Sequence, residues 1–397
     1  MNDTVENTIV QAIDDIADEL RSLSLQIHDH PELGDHEFMA SKLLADYMES
    51  KGFLVKRGVV GLPTAFTAEY AGPAPGRRIG FCSEYDALPG VGHACGHNLI
   101  AIAGVACAIA TKTLIEQGQI QGSVILFGTP AEESSSGKIT LVNQGEVQRN
   151  ADIVLMLHPA PSDGLYTPYL ALHAFTVEFF GRAAHAGATP WEGINAVDAL
   201  MQAWDNLSML RQQTLPTNRL HGYIVHGGNS PNVIPDYASA KFYARAQKRT
   251  ELAELKQKAE KCFEAAAMAT GCKLKLTWVP FGQVDDALIN DTLAETYKSF
   301  MKKEGVHFQP REVEEQIPGA SSDFGNISYV VPGLQPGFKI ETTGPNHTID
   351  FAKAAGTPEA HQATLRAAKC LSKTAAVVAL DEKVYQQVRA DFDSALK

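Results

Sequence analysis

Short apolar runs alternate with helical segments through the first 160 residues, and this alternation constrains the fold more than any other feature of the chain. Residues 79–83, 122–128 and 153–157 read as strands, the second carrying Val124, Ile125, Leu126 and Phe127 in succession. Around them, residues 9–28, 37–51, 98–114 and 139–144 have helical spacing or an Ala-rich composition. Strands and helices in this order predict an α/β unit with a mainly parallel central sheet. Sheets of that kind bind ligands where their strands end.

The pattern changes near residue 170. A strand over 173–180, a helix over 193–210, strands over 220–225 and 238–246, a helix over 251–270 and a strand over 273–280 follow one another. This β-α-β-β-α-β order predicts an inserted ferredoxin-like two-layer domain over 170–283. The first domain, 1–169, then resumes over 284–397, with a helix at 288–304 and a last helix at 359–380. Two domains suit a chain of 397 residues, which is long for one core.

Composition narrows the function. Hydrophobic residues at 45% and charged residues at 20% are ordinary for a globular protein, and a formal charge of -12 argues against nucleic acid as partner. The first 20 residues hold Asp3, Glu6, Asp14, Asp15, Asp18 and Glu19, unlike a signal or transit peptide. No uninterrupted apolar run suggests a membrane span. Cys82, Cys107 and Cys370 sit in apolar surroundings as expected core thiols, which suits the cytoplasm.

Polar groups with metal-binding chemistry follow the strands. Cys95 and His97 flank Gly96, which lets the backbone bend so that both side chains reach one place. The N–H groups opening the next helix favour a thiolate there. Glu132 and Glu133 follow Pro130, and His158 follows the third strand. Adjacent carboxylates diverge, so one can ligate a metal while the other faces water. Blander readings exist for each: a buried thiol beside solvent-facing imidazoles, a solvated acidic turn, a core histidine. With His347, however, Cys95, His97, Glu133 and His158 make five donors. One zinc takes about four and a catalytic zinc keeps a position open, so five fit two divalent ions. Zinc suits Cys and His, and carboxylates also tolerate manganese or cobalt. Such a pair polarises a carbonyl and activates water, with Glu132 free to move the proton. A metal-dependent hydrolase is the expectation.

Several spaced motifs resemble those of the dimetal aminoacylase and carboxypeptidase family of amidohydrolases, metallopeptidase family M20. They are residues 84–90 (EYDALPG), 93–100 (HACGHNLI), 128–133 (GTPAEE), 181–186 (GRAAHA), 190–193 (PWEG), 231–235 (PNVIP), 322–326 (SDFGN) and 346–348 (NHT). The likeness runs over nearly the whole chain. It is strongest to the subgroup that holds the Xaa-Arg (β-alanyl-lysine) dipeptidases and one of the two chain types of p-aminobenzoyl-glutamate hydrolase, the B chain.

The resemblance implies a zinc-peptidase-like catalytic domain and a lid and dimerisation domain that joins a homodimer. It implies that Cys95 bridges two metals, with His97 and His347 on one and Glu133 and His158 on the other. Glu132 matches the general base, and Asp86 matches the carboxylate that orients a ligand histidine. Glu84 stands where many relatives carry a ligand histidine, and is not counted as a ligand. Asn98 stands where other relatives have Asp. His185 matches a histidine that enters the partner's site and donates to the oxyanion. Asn232 matches a substrate contact. Arg245 matches an arginine that clamps a substrate carboxylate, a bidentate fit. Without the resemblance, His185 and Arg245 would read as surface residues.

The implied substrates are dipeptides or N-acyl amino acids with a free carboxylate, with a basic C-terminal residue favoured. An aminobenzoyl-glutamate or N-acyl amino acid hydrolase is the alternative enzyme. A metal-stabilised scaffold is the non-enzyme alternative, disfavoured because a structural site needs no Glu132.

Overall fold

A computed structural model describes residues 2–317 and 319–397. The chain divides into two compact units. The first comprises residues 1–168, 287–318 and 323–397, and the second residues 169–286 and 319–322.

A six-stranded sheet organises the first unit. Its order is Leu54–Arg57, Phe66–Ala71, Gly122–Gly128, Arg77–Ser83, Ile153–Leu155 and Gly333–Leu334. The first two pairings are antiparallel and the other three parallel. Alternation along the strands explains the unbroken apolar runs. Ile79, Phe81, Val124, Leu126, Ile153 and Leu155 join one core cluster, while Cys82, Ile125, Phe127, Val154 and Met156 join another. Successive side chains point to opposite faces. Both faces are covered along these three strands, which explains their apolar runs.

Helix His97–Glu116 is apolar on every side, as a helix buried all round must be. By length and composition it could span a membrane, but 89% of its apolar stretch is buried inside the unit. Chain direction explains where chemistry gathers. From Arg77–Ser83 the chain crosses to Gly122–Gly128 on one side, then back to Ile153–Leu155 on the other. The segments after these three strands converge at that reversal, where open α/β sheets bind ligands.

The second unit is a four-stranded antiparallel sheet ordered Lys273–Trp278, Ala171–Phe180, Tyr237–Ala246, Arg219–His226. Helices Ala196–Leu210 and Arg249–Thr270 supply its other layer. Buried and half-buried residues alternate along Ala171–Phe180, so one face makes the core. There the Phe175 ring lies 5.3 Å from Phe242 and 5.7 Å from Phe263. Strand Arg219–His226 is an edge and exposes Tyr223, Ile224 and Val225.

Some expected elements differ. The helix expected over 9–28 is two, Asp3–Asp14 and Ala17–Asp29. Buried Ile9, Ile13, Ile16, Leu20, Leu23 and Ile27 keep helical spacing across the break, so periodicity cannot reveal it. Only Asp18 and Glu19, in the first turn of the second helix, hint at a new start; Asp14 and Asp15 at the end of the first oppose its dipole. The strand expected over 153–157 stops at Leu155, and His158–Ala160 forms its own short strand, parallel to Gly337–Lys339. The chain does not end with the helix Pro358–Leu380. Asp381 caps a further helix, Glu382–Ala395, which buries only Val388 and Phe392.

Candidate metal centre

The centre is built from turns of the first unit. Gly96 holds φ +77° and passes the chain directly from Cys95 into the helix that begins at His97. The His97 ring is fully buried, with Nδ1 2.8 Å from Asp86 Oδ1. Asp86 Oδ2 accepts the backbone N–H of Glu133 at 2.9 Å, so one carboxylate fixes a histidine and a glutamate from different turns. Burial works against charge on both partners. Even so, their mutual attraction leaves Asp86 below its ordinary value and His97 well above.

Cys95, His97 and His158 bring one donor atom each within 4.8 Å of one another, and so do Cys95, Glu133 and His347. Cys95 Sγ lies 3.5 Å from His158 Nε2, and His347 Nε2 lies 3.0 Å from Glu133 Oε1. Two donors on one tetrahedral zinc sit about 3.4–3.6 Å apart, from bond lengths of about 2.0–2.3 Å. These groups differ from the pairing that the resemblance implies, His97 with His347 and Glu133 with His158. His158 leaves a strand beside Cys95. The amide of His347 is bonded to the Ala94 carbonyl at 2.8 Å, which sets its ring on the Glu133 side.

The donors fit a metal. His97 Nε2 and Glu84 Oε2 are buried without a hydrogen-bond partner among the described residues. Unsatisfied buried polar atoms are costly and call for a ligand. Burial pushes the Cys95 thiol up to about 12, so an adjacent cation is needed to make it a thiolate ligand. Burial also keeps the His158 imidazole below its ordinary value, in the neutral form that binds metal. Its Nδ1 meets the Pro159 carbonyl at 2.9 Å, leaving Nε2 for coordination. Burial, and then the charges of Glu84, Glu133 and Asp323, push the Glu132 carboxyl well above its usual range.

Two supports had little signature in the sequence. Lys138 is fully buried, donating to Glu84 Oε1 at 2.5 Å and Asp323 Oδ1 at 2.6 Å. Glu37 accepts from Ala131 N at 2.7 Å and from the Thr64 hydroxyl at 3.0 Å, clamping the turn that carries Glu132 and Glu133. Ala131 and His347 both hold left-handed backbone, with φ 61° and 70°. Such strain in non-glycine residues costs roughly 1–3 kcal/mol and collects at functional sites.

His185, Asn232 and Arg245 belong to the second unit. His185 is exposed, and its Nδ1 accepts from Gly187 N at 3.2 Å and Ala188 N at 3.0 Å, so a neutral ring carries its proton on Nε2. The Asn232 carbonyl accepts from Ala186 N at 3.0 Å, which brings Asn232 beside His185. Arg245 lies on the strand Tyr237–Ala246 opposite Leu172 and Arg219, half-buried, with no hydrogen-bond partner for Nε among the described residues.

Comparison with known proteins agrees with this architecture. The family described as the M20 peptidase dimerisation domain matches residues 171–270. The chain is 43% identical over 397 residues to the Xaa-Arg dipeptidase of Mus musculus, covering 98% of this chain and 92% of that protein. It is 29% identical over 453 residues to the B chain of the p-aminobenzoyl-glutamate hydrolase of Escherichia coli (strain K12), covering 96% and 92%. A solved dinuclear metal-binding peptidase of the M20 family from Bacillus subtilis has the same fold, with TM-score 0.69 and 21% identity over 92% of this chain and 99% of that one. The chain therefore belongs to the M20 family of metallopeptidases. It is an enzyme of the metallo-dipeptidase and amidohydrolase class.

Proposed function

We propose that this enzyme hydrolyses dipeptides with a free carboxylate and a basic C-terminal residue, of the Xaa-Arg or β-alanyl-lysine type. The observation that carries the reading is the set of two donor trios sharing Cys95, with the carboxylate of Glu132 beside them. The names of the 43% and 41% identical relatives supply the substrate class. Cys95, His97 and His158 would hold one divalent ion, and Cys95, Glu133 and His347 a second. Zinc is the ion these thiolate and imidazole donors suit best. When bound, the ions polarise the amide carbonyl and activate water.

The chain's own residues do the rest. Glu132, made basic by its surroundings, takes the proton of the attacking water and returns it to the leaving amine nitrogen. Asp86 holds His97 in one tautomer and fixes the Glu133 backbone. His185 offers an Nε2–H donor to the oxyanion, reaching the site of its partner in a homodimer. The exposed apolar edge strand Arg219–His226 lies inside the residues matched to the dimerisation domain and supports that assembly. Asn232 contacts the substrate, and Arg245, whose Nε lacks a partner among the described residues, takes its carboxylate. Six free cysteines, five of them buried, suit a cytoplasmic setting.

A panel assay of the zinc-loaded enzyme tests the reading. Xaa-Arg and Xaa-Lys should be cleaved faster than Xaa-Glu, and C-terminal amides slowly. R245A should lose the preference for the free acid over the amide. Preference for p-aminobenzoyl-glutamate would move the assignment to the second named relative's activity, and equal rates on acids and amides would refute the carboxylate requirement.

A further inference from the structure

We propose that His221 is a second donor to the substrate carboxylate, acting beside Arg245 on the open face of the second unit's sheet. The inference rests on the reading above, in which Arg245 takes that carboxylate. Alternation along the strands places the groups. Leu220, Phe242, Ala244 and Ala246 belong to the core cluster that the sheet shares with its two helices. Successive side chains of a strand point to opposite faces, so Arg219, His221, Tyr243 and Arg245 share the other face. Register sets them in neighbouring rows, Arg219 opposite Arg245 and His221 opposite Tyr243.

These rows carry cations and aromatic rings but no acid. Like charges directly opposite on neighbouring strands destabilise a sheet, and Arg219 with Arg245 is such a pair. Burial works against the Arg245 charge, and no carboxylate offsets it. On the other neighbouring strand, Leu172, Ala174 and Thr176 stand opposite Arg245, Tyr243 and Lys241. The next residue on that face is Glu178, already held by Lys275 at 2.7 Å and by the Tyr237 hydroxyl at 3.1 Å. A half-buried guanidinium in this setting calls for an anion from outside the chain.

His221 is placed to meet the same anion. Its ring packs edge-on to Tyr243 with centroids 5.7 Å apart, and the Arg245 guanidinium carbon lies 5.7 Å from that tyrosine ring. One tyrosine therefore supports both groups. Partial burial, and then the Arg245 charge, hold the His221 imidazole below its ordinary value. The neutral ring keeps one N–H to donate and adds no third charge to Arg219 and Arg245. A carboxylate offers about four acceptor positions, so a guanidinium fork along one edge leaves others for an imidazole. Arg245 supplies the charge, and His221 fixes the angle at which the carboxylate sits.

The test is steady-state kinetics of the zinc-loaded wild type, H221A, H221Q and R245A on an Xaa-Arg dipeptide and on its C-terminal amide. H221A should raise KM for the free acid by about tenfold or more, the loss of one charge-assisted hydrogen bond, with kcat within about twofold and KM for the amide unchanged. H221Q, whose carboxamide N–H still donates, should recover most of that loss, which a change in packing alone would not allow. An H221A KM for the acid within about twofold of wild type, or equal increases on acid and amide, would overturn the proposal. Loss of the acid preference in R245A but not in H221A would overturn the role of His221 alone. An unchanged acid preference in R245A would overturn the Arg245 reading and this proposal with it. His221 is exposed, so both of its variants should keep the fold, which thermal unfolding checks.

Discussion

Replacing Gly96 by alanine perturbs the centre without touching a donor atom. At φ +77° an L-residue costs about 1–2 kcal/mol. The new Cβ would lie 2.6 Å from Pro159 Cγ and 3.3 Å from Phe351 Cε1, and forcing a methyl group into a packed space costs about 1–3 kcal/mol. G96A should therefore lose about 2–5 kcal/mol in total. G118A isolates the first contribution, because Gly118 has φ +69° and a Cβ there meets nothing within 4 Å. Denaturant unfolding of both metal-free proteins should put G96A below G118A by about 1–3 kcal/mol. Pro159 follows His158, so the displaced ring should also move His158 away from Cys95, and zinc titration should show weaker binding in G96A alone. Equal stability for the two variants, within about 0.5 kcal/mol, with equal zinc affinity would refute the packing argument.

E132Q should fold and bind zinc like wild type yet lose about 10²–10⁴ in kcat; near-normal turnover would reassign the base. Mixing inactive H185A chains with inactive E132Q chains should restore part of the activity once the chains exchange, because one of the two shared sites then has both groups; no recovery after demonstrated exchange would place His185 outside its partner's site. Glu37 should make the metal-free protein less stable as pH rises. Burial, with a smaller contribution from the Asp86 charge, raises its carboxyl from 4.5 to about 7. The folded state thus holds this proton more tightly than the unfolded state, so the stabilisation is complete below 4.5 and is lost as pH climbs to about 7. E37Q should gain about 3 kcal/mol relative to wild type between pH 4 and pH 8, by urea unfolding, and a difference independent of pH would contradict the assignment.

Much of the fold could be read because its signals are local. Val124 to Phe127 must be buried on both faces, and the β-α-β-β-α-β order of the second unit shows in its alternating periods. Strands Leu54–Arg57 and Phe66–Ala71 are not legible in this way, since the first is largely exposed and carries Lys56 and Arg57, which no apolar run announces. Residues 95–97 and 132–133 stand out because donors adjacent in sequence are adjacent in space. Which donor faces which depends on turns, and the nearness of His97 to His158 follows the pairing of strands Arg77–Ser83 and Ile153–Leu155, which composition does not show. Lys138 is the hardest to foresee. Lysine is ordinarily a surface residue, and the two carboxylates that hold it inside come from positions 54 residues before it and 185 after.

Asp86 has a consequence for how the centre fills. One carboxylate orients the His97 ring and anchors the Glu133 backbone, which belong to different donor trios. Seating an ion on either trio stiffens that carboxylate, and the second ion then meets a donor already in place. Loading should therefore be cooperative, each ion tightening the other by the same factor. Half-filled molecules should be scarce at every zinc concentration. Stripping with a chelator should empty both positions together, so partial metal content in a preparation would reflect a mixture of full and vacant molecules.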